Sequence, residues 1–482
     1  MILATSRPAA TEHRSNGHLT ALLRGGIGAL LGALTLSLVS AAPPAGAASV
    51  PTSEPIVAAT IPVGTNPFMP VLNAAGTTLY VPNDRSASIS VIDTATNTVT
   101  ATIPVGQNPI PPVLNASGTR MYVSNIGSNT VSVIDPATNL VVATIPVGLT
   151  PYAPALNPSG TRMYVANNGS NTVSVIDTAT NSVVATIPVG AGPNTMSIDA
   201  TGSRLYVPNY TSGTISVIDT AAGAVVATVP VGANPYRPAL NLAGTRLYSA
   251  NNGSGTVTVI NTTTNTVLAT IPVGLDPWDA VLNTAGTRLY VPNSSSSTLS
   301  VIDTATNQVI ATVPVGSNPY RPQVNLRGTR VYVVNQDSGT VSVIDTATNT
   351  VTSTVTVGNQ PKSGALNKEG TTLYVPNYGS GTISVVSLPG VPSKPQRVTA
   401  VAGTRSAVVS WKAPASAGGE PITGYRVTAF PGGATCTPTA TTCRIDGLVP
   451  GETYSFGVVA RNPIGFGRPA LSNRVTVFSA TK

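Results

Sequence analysis

Nine side chains at one recurring place in the sequence are the best candidates for chemistry: Phe68, Tyr152, Tyr236, Arg237, Trp278, Asp279, Tyr320, Arg321 and Lys362. They sit in NPFM, TPYA, NPYR, DPWD, NPYR and QPKS, short stretches that each follow the phrase IPVG or a variant of it; the two other such stretches read NPIP and GPNT. Aromatic rings supply large rigid apolar surfaces, and guanidinium groups supply fork-shaped donors, a combination suited to holding a ligand. Tyr236, Trp278 and Tyr320 fall in consecutive copies. Their spacing predicts a contiguous aromatic arc on which a sugar face or a peptide stacks. The competing role for these rings is to fill space between repeating units.

Groups that break bonds are scarce. The two histidines, His13 and His18, both precede residue 48. If the segment before it is removed, no imidazole base remains for a Ser-His-Asp or Cys-His arrangement. Zinc and c-type haem would also lose their usual ligands. There is no Gly-Lys-Ser/Thr phosphate loop, GxSxG elbow or EF-hand loop. Outside turn positions the carboxylates are few, and Asp199, Asp276, Asp279 and Glu369 form no convincing pair. The reading is a non-catalytic protein with no catalytic residue, metal or cofactor.

The N-terminus explains the expected removal. Arg7, Arg14 and Arg24 precede a short apolar run from Ile27 to Val39, and AGAAS follows. A basic region, a short apolar core and small residues are the pattern of a secretory signal, assigned to residues 1–47. The uncharged run is shorter than the ~20 residues of a spanning helix. No integral membrane segment is expected after cleavage, and the chain is predicted to be secreted, extracellular or at the cell surface. In an exported chain Cys436 and Cys443 point to a disulfide rather than a metal site.

The elements that position the candidate residues come from a repeat. SVIDTATN begins at Ser90 and returns in close variants at Ser132, Ser174, Ser216, Thr258, Ser300 and Ser342, each 42 residues after the last (132 − 90 = 42). IPVG and its variants keep that step from Ile61 to Val355, as does a tyrosine from Tyr80 to Tyr374. Each unit holds four short stretches rich in Val, Ile, Thr and Tyr between turn residues, which read as strands. Four strands per ~40 residues indicate a blade of a β-propeller. Seven units are complete, the eighth lacks its last strand, and PIVAATIPVG at 55–64 supplies one from the opposite end of the chain. The expected fold is all-β: an eight-bladed propeller over 48–388, closed by the N-terminal strand, with seven blades as the alternative.

Successive connections in a blade alternate between its two faces. The turn after IPVG and the turn after YVxN therefore share one face, with the candidate residues ringing the channel mouth before the innermost strand. The other face carries the Gly-Thr and DTATN turns. There Asp93 is expected to cap its turn, Asn97 to take a left-handed conformation, and Arg120, Arg162, Arg204, Arg246, Arg288 and Arg330 to pair with neighbouring aspartates.

The run SNTVSVIDTATNSVVATIPVG at 170–190, preceded by GTRMYVANN, resembles the YVTN-type β-propeller repeat of bacterial and archaeal surface and secreted proteins. More distantly, in fold and repeat only, the chain is similar to lactonase-type and quinone-cofactor propellers. Residues 389–395 form a Pro-rich linker. Residues 396–482 resemble a fibronectin type III domain, with Trp411 in its core and Leu448, Pro450 and Tyr454 at the spacing of a tyrosine corner. The likeness extends to bacterial versions with a local disulfide, here Cys436 to Cys443.

Charge divides unevenly: from Lys394 onward ten basic residues face three acids, whereas 48–390 carry twelve against thirteen. With no clustered basic run, nucleic acid is excluded as a partner. The sequence predicts a monomeric exported protein that binds a cell-wall or extracellular carbohydrate or protein ligand at the channel mouth, the sandwich serving as spacer or wall contact. The alternatives are a secreted hydrolase or lyase acting on polysaccharide or lactone, and a structural surface-layer component.

Overall fold

A computed structural model describes residues 54–418 and 420–479; the predicted signal segment lies outside the described residues. Apart from one short 3-10 turn at Asn252–Ser254, the regular elements among them are strands. They build eight four-stranded antiparallel sheets over the repeat region and a sandwich beyond it.

One blade illustrates all. In the second, the strands are Val113–Leu114, Met121–Asn125, Thr130–Asp135 and Leu140–Pro146. The two middle strands are almost wholly buried, and the fourth is mostly exposed, with Ile145 buried and Ala143 half-buried against the core. This burial gradient makes the fourth strand the outer edge, where Pro146, lacking an N–H, can end a strand without breaking a ladder. A bulge shifts the register of the last two strands between Val133 and Ile134.

The cores lie between blades. Tyr122, Val131, Val133 and Ile145 of the second blade pack against Met163, Val165 and Ile176 of the third. The Tyr122 hydroxyl is hydrogen-bonded to Thr178 of the third blade. Tyr164 and Tyr206 bond in the same way to Thr220 and Thr262.

The last blade contains Ala365–Leu366, Thr372–Asn377 and Thr382–Ser387, and its outer strand is Ile56–Pro62. Ile61 stands opposite Ile383, and the pairing carries the same kind of bulge, between Val57 and Ala59. Ile61, Tyr374, Ile383 and Val385 then pack against Leu79, Val81 and Ile92 of the first blade. Tyr374 bonds to Thr94, repeating across the closure the contact made inside the ring.

The Gly-Thr/DTATN face shows how turn chemistry fills its positions. Asp93 Oδ1 accepts the Ala95 and Thr96 amides, each at 2.9 Å. Asn97 has φ of 55° and its counterpart Gly223 has 61°, the left-handed region that Asn and Gly tolerate best. Arg120 pairs with Asp135 at 3.0 Å and Arg204 with Asp219 at 2.6 Å; Arg162, Arg288 and Arg330 pair with Asp177, Asp303 and Asp345. Arg246 differs from its expectation. It stands opposite Asn261, which carries no charge, and donates instead to the Thr304 carbonyl of the next blade at 2.6 Å.

The sandwich pairs Gln396–Gly403, Ser406–Lys412 and Thr442–Asp446 in one sheet, against a second sheet centred on Gly424–Phe430 and Thr453–Asn462. Trp411, Tyr425, Phe456 and Val458 fill its core. The Tyr454 hydroxyl accepts the Val449 amide at 3.1 Å, completing the tyrosine corner. Cys436 and Cys443 form the disulfide. The segment that joins the two folds is tied down: buried Asn462 donates to the Gly390 carbonyl at 2.7 Å and to Ala417 at 2.9 Å. From the propeller, Arg327 donates to the Phe466 carbonyl at 2.6 Å.

The closure makes a direct prediction. Ile61 and Ile103 occupy equivalent outer-strand positions and are 3% and 1% exposed. Ile61→Ala is expected to cost as much as Ile103→Ala, about 2–5 kcal/mol each, in chemical denaturation. A near-silent Ile61→Ala would show a frayed N-terminal strand and an open ring.

Candidate functional site

Each connection from one blade to the next is set by an asparagine. Asn83, Asn125, Asn167, Asn209, Asn251, Asn293, Asn335 and Asn377 are each fully buried. Asn335 Nδ2 donates to Thr340 at 3.0 Å and Ser342 at 2.9 Å, and its counterparts bond similarly within their own blades. Against each packs the glycine that ends a PVG phrase: a methyl group on Gly316 would lie 2.7 Å from the Asn335 side chain. Only glycine fits there. The chain next pairs Pro319 with Asn335, and the Tyr320 amide donates to the Val334 carbonyl at 2.8 Å. Tyr236, Trp278 and Lys362 are held by the same bond, to Ala250, Pro292 and Pro376.

Identical backbone anchoring stacks the side chains. The Tyr236 and Trp278 rings lie 4.4 Å apart at 30°, and Trp278 and Tyr320 lie 5.1 Å apart at 26°. Tyr210 meets Tyr236 edge-on at 5.4 Å. At the far end Lys362 Nζ sits 4.6 Å from the Tyr320 ring centre and 5.2 Å from that of Tyr378. It also donates to the Tyr320 hydroxyl at 3.0 Å and to Gln336 Oε1 at 2.9 Å. The Tyr378 hydroxyl donates to Asp84 of the first blade at 2.9 Å. One ladder thus runs from Tyr210 to Tyr378.

The rings spend their faces on one another. What Trp278 and Tyr320 turn outward are edges, which line an open groove of about 570 Å³ together with Asp276, Ser294, Ser295, Ser317, Asn318 and Asp337. The Trp278 indole N–H donates to Ser294 at 3.1 Å, and Asp276 accepts from the Ser295 hydroxyl.

Of the nine candidates, the structure joins Tyr236, Trp278, Tyr320 and Lys362 in the ladder. Arg237, Asp279 and Arg321 form a second group beside it, close enough to interact electrostatically. Tyr152 lies near Tyr210 and Tyr236. Among the described residues no ring pairing includes Phe68. Tyr210, Tyr378, Asp276 and Asp337 are absent from the sequence-based set. All but Asp276 come from the turn after YVxN, and that turn's variation, NYTSG and NYGSG beside NNGS, marks them.

Burial shapes the electrostatics. It pushes the Tyr320 phenol up to about 12, with Asp337 and Asp279 adding to the rise. Tyr236 and Tyr152 are likewise raised, first by burial. Asp279 is raised by burial, while the charges of Arg321 and Arg237 and the Arg237 amide pull the other way. Arg321 falls to about 10 through burial and the nearby Arg237 charge. Lys362 falls to about 8 through burial, opposed by Asp337.

Comparison with known proteins agrees with these parts. Residues 393–477 match the fibronectin type III domain, and 303–410 match the family described as "Lactonase, 7-bladed beta-propeller". The chain is a β-propeller followed by a fibronectin type III domain. Among solved structures it is similar to hydrazine synthase of Kuenenia stuttgartiensis, at 25% identity over 58% of this chain and 96% of that one, with a TM-score of 0.50. The dihydro-heme d1 dehydrogenase NirN is similar at 15% identity and a TM-score of 0.56, over 75% of this chain and 77% of that one, a likeness of fold. The lactonase description names seven blades, whereas this repeat region builds eight four-stranded sheets. No helix among the described residues is long and apolar enough to cross a membrane.

Lys362 gives a pH prediction. Its pKa is lower folded than unfolded, so the unfolded chain binds more protons between about pH 8 and the ordinary lysine value of about 10.4. The cost of burying its charge is present below pH 8 and is relieved as pH rises through that window. In a 13C-lysine titration the Lys362 ε-methylene should move with a midpoint near 8, and the Lys362→Met variant should lack that signal.

Proposed function

We propose that the protein is an exported, non-catalytic binding protein. Its propeller would present the channel mouth to a carbohydrate, peptide or cell-wall ligand, while the basic sandwich acts as spacer or wall contact. The observation that carries this reading is the ladder Tyr236–Trp278–Tyr320–Lys362 beside a polar groove, all on the face whose loops vary most between repeats. A ligand would meet aromatic edges on one side and the Asp276 and Asp337 carboxylates with serine hydroxyls on the other. Such a mixture of apolar surface and convergent polar groups suits a sugar or peptide. The fibronectin type III domain and the disulfide support an extracellular location.

The partial match to a lactonase family supports a second reading, a secreted hydrolase acting on lactone or polysaccharide. Fold alone does not carry that chemistry.

Glycan arrays and pull-downs on isolated cell walls test the first reading. Binding should fall at least tenfold in Trp278→Ala and Tyr320→Ala, measured at a temperature where circular dichroism shows each variant folded; unchanged binding rejects this groove. A turnover screen on lactones and polysaccharides tests the second, and activity lost in Asp279→Asn would favour it over the first.

A further inference from the structure

The residue just before the innermost strand of each blade reads, in order, Met69, Pro111, Ala153, Thr195, Arg237, Asp279, Arg321 and Ser363. Five of the eight are uncharged, and the three charged ones are consecutive. The arginines come from two copies of the same five residues, NPYRP at 234–238 and 318–322, with DPWDA between them. The innermost strands start two residues later, at Ala239, Val281 and Gln323. The charged side chains therefore leave the chain where the channel begins.

These two arginines differ from those on the opposite face. On the opposite face Arg120, Arg162, Arg204, Arg288 and Arg330 are each paired with an aspartate, and Arg246 donates to a carbonyl. Among the described residues, neither the Arg237 nor the Arg321 guanidinium makes an ion pair or a hydrogen bond. Asp279 interacts with both through space, and the two cations repel each other. Two guanidinium groups and one carboxylate leave the cluster at +1 (2 − 1 = 1). The two groups carry ten N–H donors between them (five on each), with Asp279 as the carboxylate that interacts with both. Holding like charges side by side in half-buried positions is unfavourable unless an anion joins them.

We propose that the channel mouth is an oxyanion site, in which Arg237 and Arg321 grip a carboxylate or phosphate group of the ligand from two sides. Planar guanidinium forks match both groups by bidentate hydrogen bonds. Asp279 sits between the arginines and competes with the ligand for them, which spaces the two forks and weakens the site. The ladder and its groove lie in the same loops, so a sugar polymer carrying acidic groups would touch both. This rests on the binding reading above and names the ligand class it implies.

Calorimetric titration of the purified chain with trigalacturonate, inorganic phosphate and neutral galactotriose tests it. Trigalacturonate or phosphate should bind, with affinity falling as salt rises. Preference between the two probes identifies the anion as carboxylate or phosphate. Arg237→Gln and Arg321→Gln should each weaken that binding at least tenfold, and Asp279→Asn should strengthen it by severalfold. A purely structural cluster would instead show destabilisation in Asp279→Asn with no gain in affinity. Failure of both anions to bind wild type and Asp279→Asn overturns the proposal, as does binding that is indifferent to both arginine variants. If galactotriose or cell walls still bind in a Trp278-dependent way, only the anion assignment has failed and the binding reading stands.

Discussion

The pairing of Ile56–Pro62 with Thr382–Ser387 is the constraint on which the architecture rests. A stack of 42-residue sheets has two ends, and each end would leave a buried-type surface facing water. Leu79, Val81 and Ile92 on the first blade need a partner, and so do Tyr374 and Val385 on the last. The N-terminal strand lets them find each other. Because the last blade is composed of both ends of the propeller segment, it is complete only when the ring closes. Unfolding either end then opens the whole circle, which couples distant segments that a linear solenoid would leave independent. Closure also brings Asp84 of the first blade to Tyr378 of the last, on the same face as the ladder.

Within the ring, the buried asparagines turn a repeating sequence into a repeating loop position. Each satisfies its amide on hydroxyls of its own blade and presses on the glycine through which the chain arrives from the blade before. The loop that follows has little choice of path. Side chains placed by eight equivalent loops must either pack on each other or face the channel, and the chain uses both outcomes. At Tyr236, Trp278 and Tyr320 the ring packs sideways, and the charged residue after each stands just ahead of the innermost strand. Regularity of the scaffold is what allows a few irregular residues to define a site.

Much of this was legible in the residues themselves. The fixed step, the four strand-like stretches and the stray strand at 55–64 together specify a closed ring, because each is a matter of counting. Turn chemistry was legible at Asp93, Asn97 and Gly223, since those side chains bond locally or must adopt a left-handed backbone. Arg246 was misread because its pairing depends on a residue fifteen positions away, and Asn261 breaks the rule that its equivalents keep. Tyr210 and Tyr378 were missed because they arrive from the second turn of the same face. Their proximity depends on how two turns dock, not on spacing along the chain.

The aromatic arc shows where sequence reading stops. Residue types and period place Tyr236, Trp278 and Tyr320 side by side, but the tilt between rings is set by blade-to-blade geometry. At centroid distances of 4.4 and 5.1 Å the faces are already covered, so a sugar cannot slide between them. Stacking gives the ladder rigidity and leaves recognition to ring edges and groove polar groups. Lys362 closes one end with its charge over two rings, while Asp337 opposes part of the burial that lowers its pKa. Affinity at such a mouth would come from pre-organisation: the parts a ligand meets are held before it arrives.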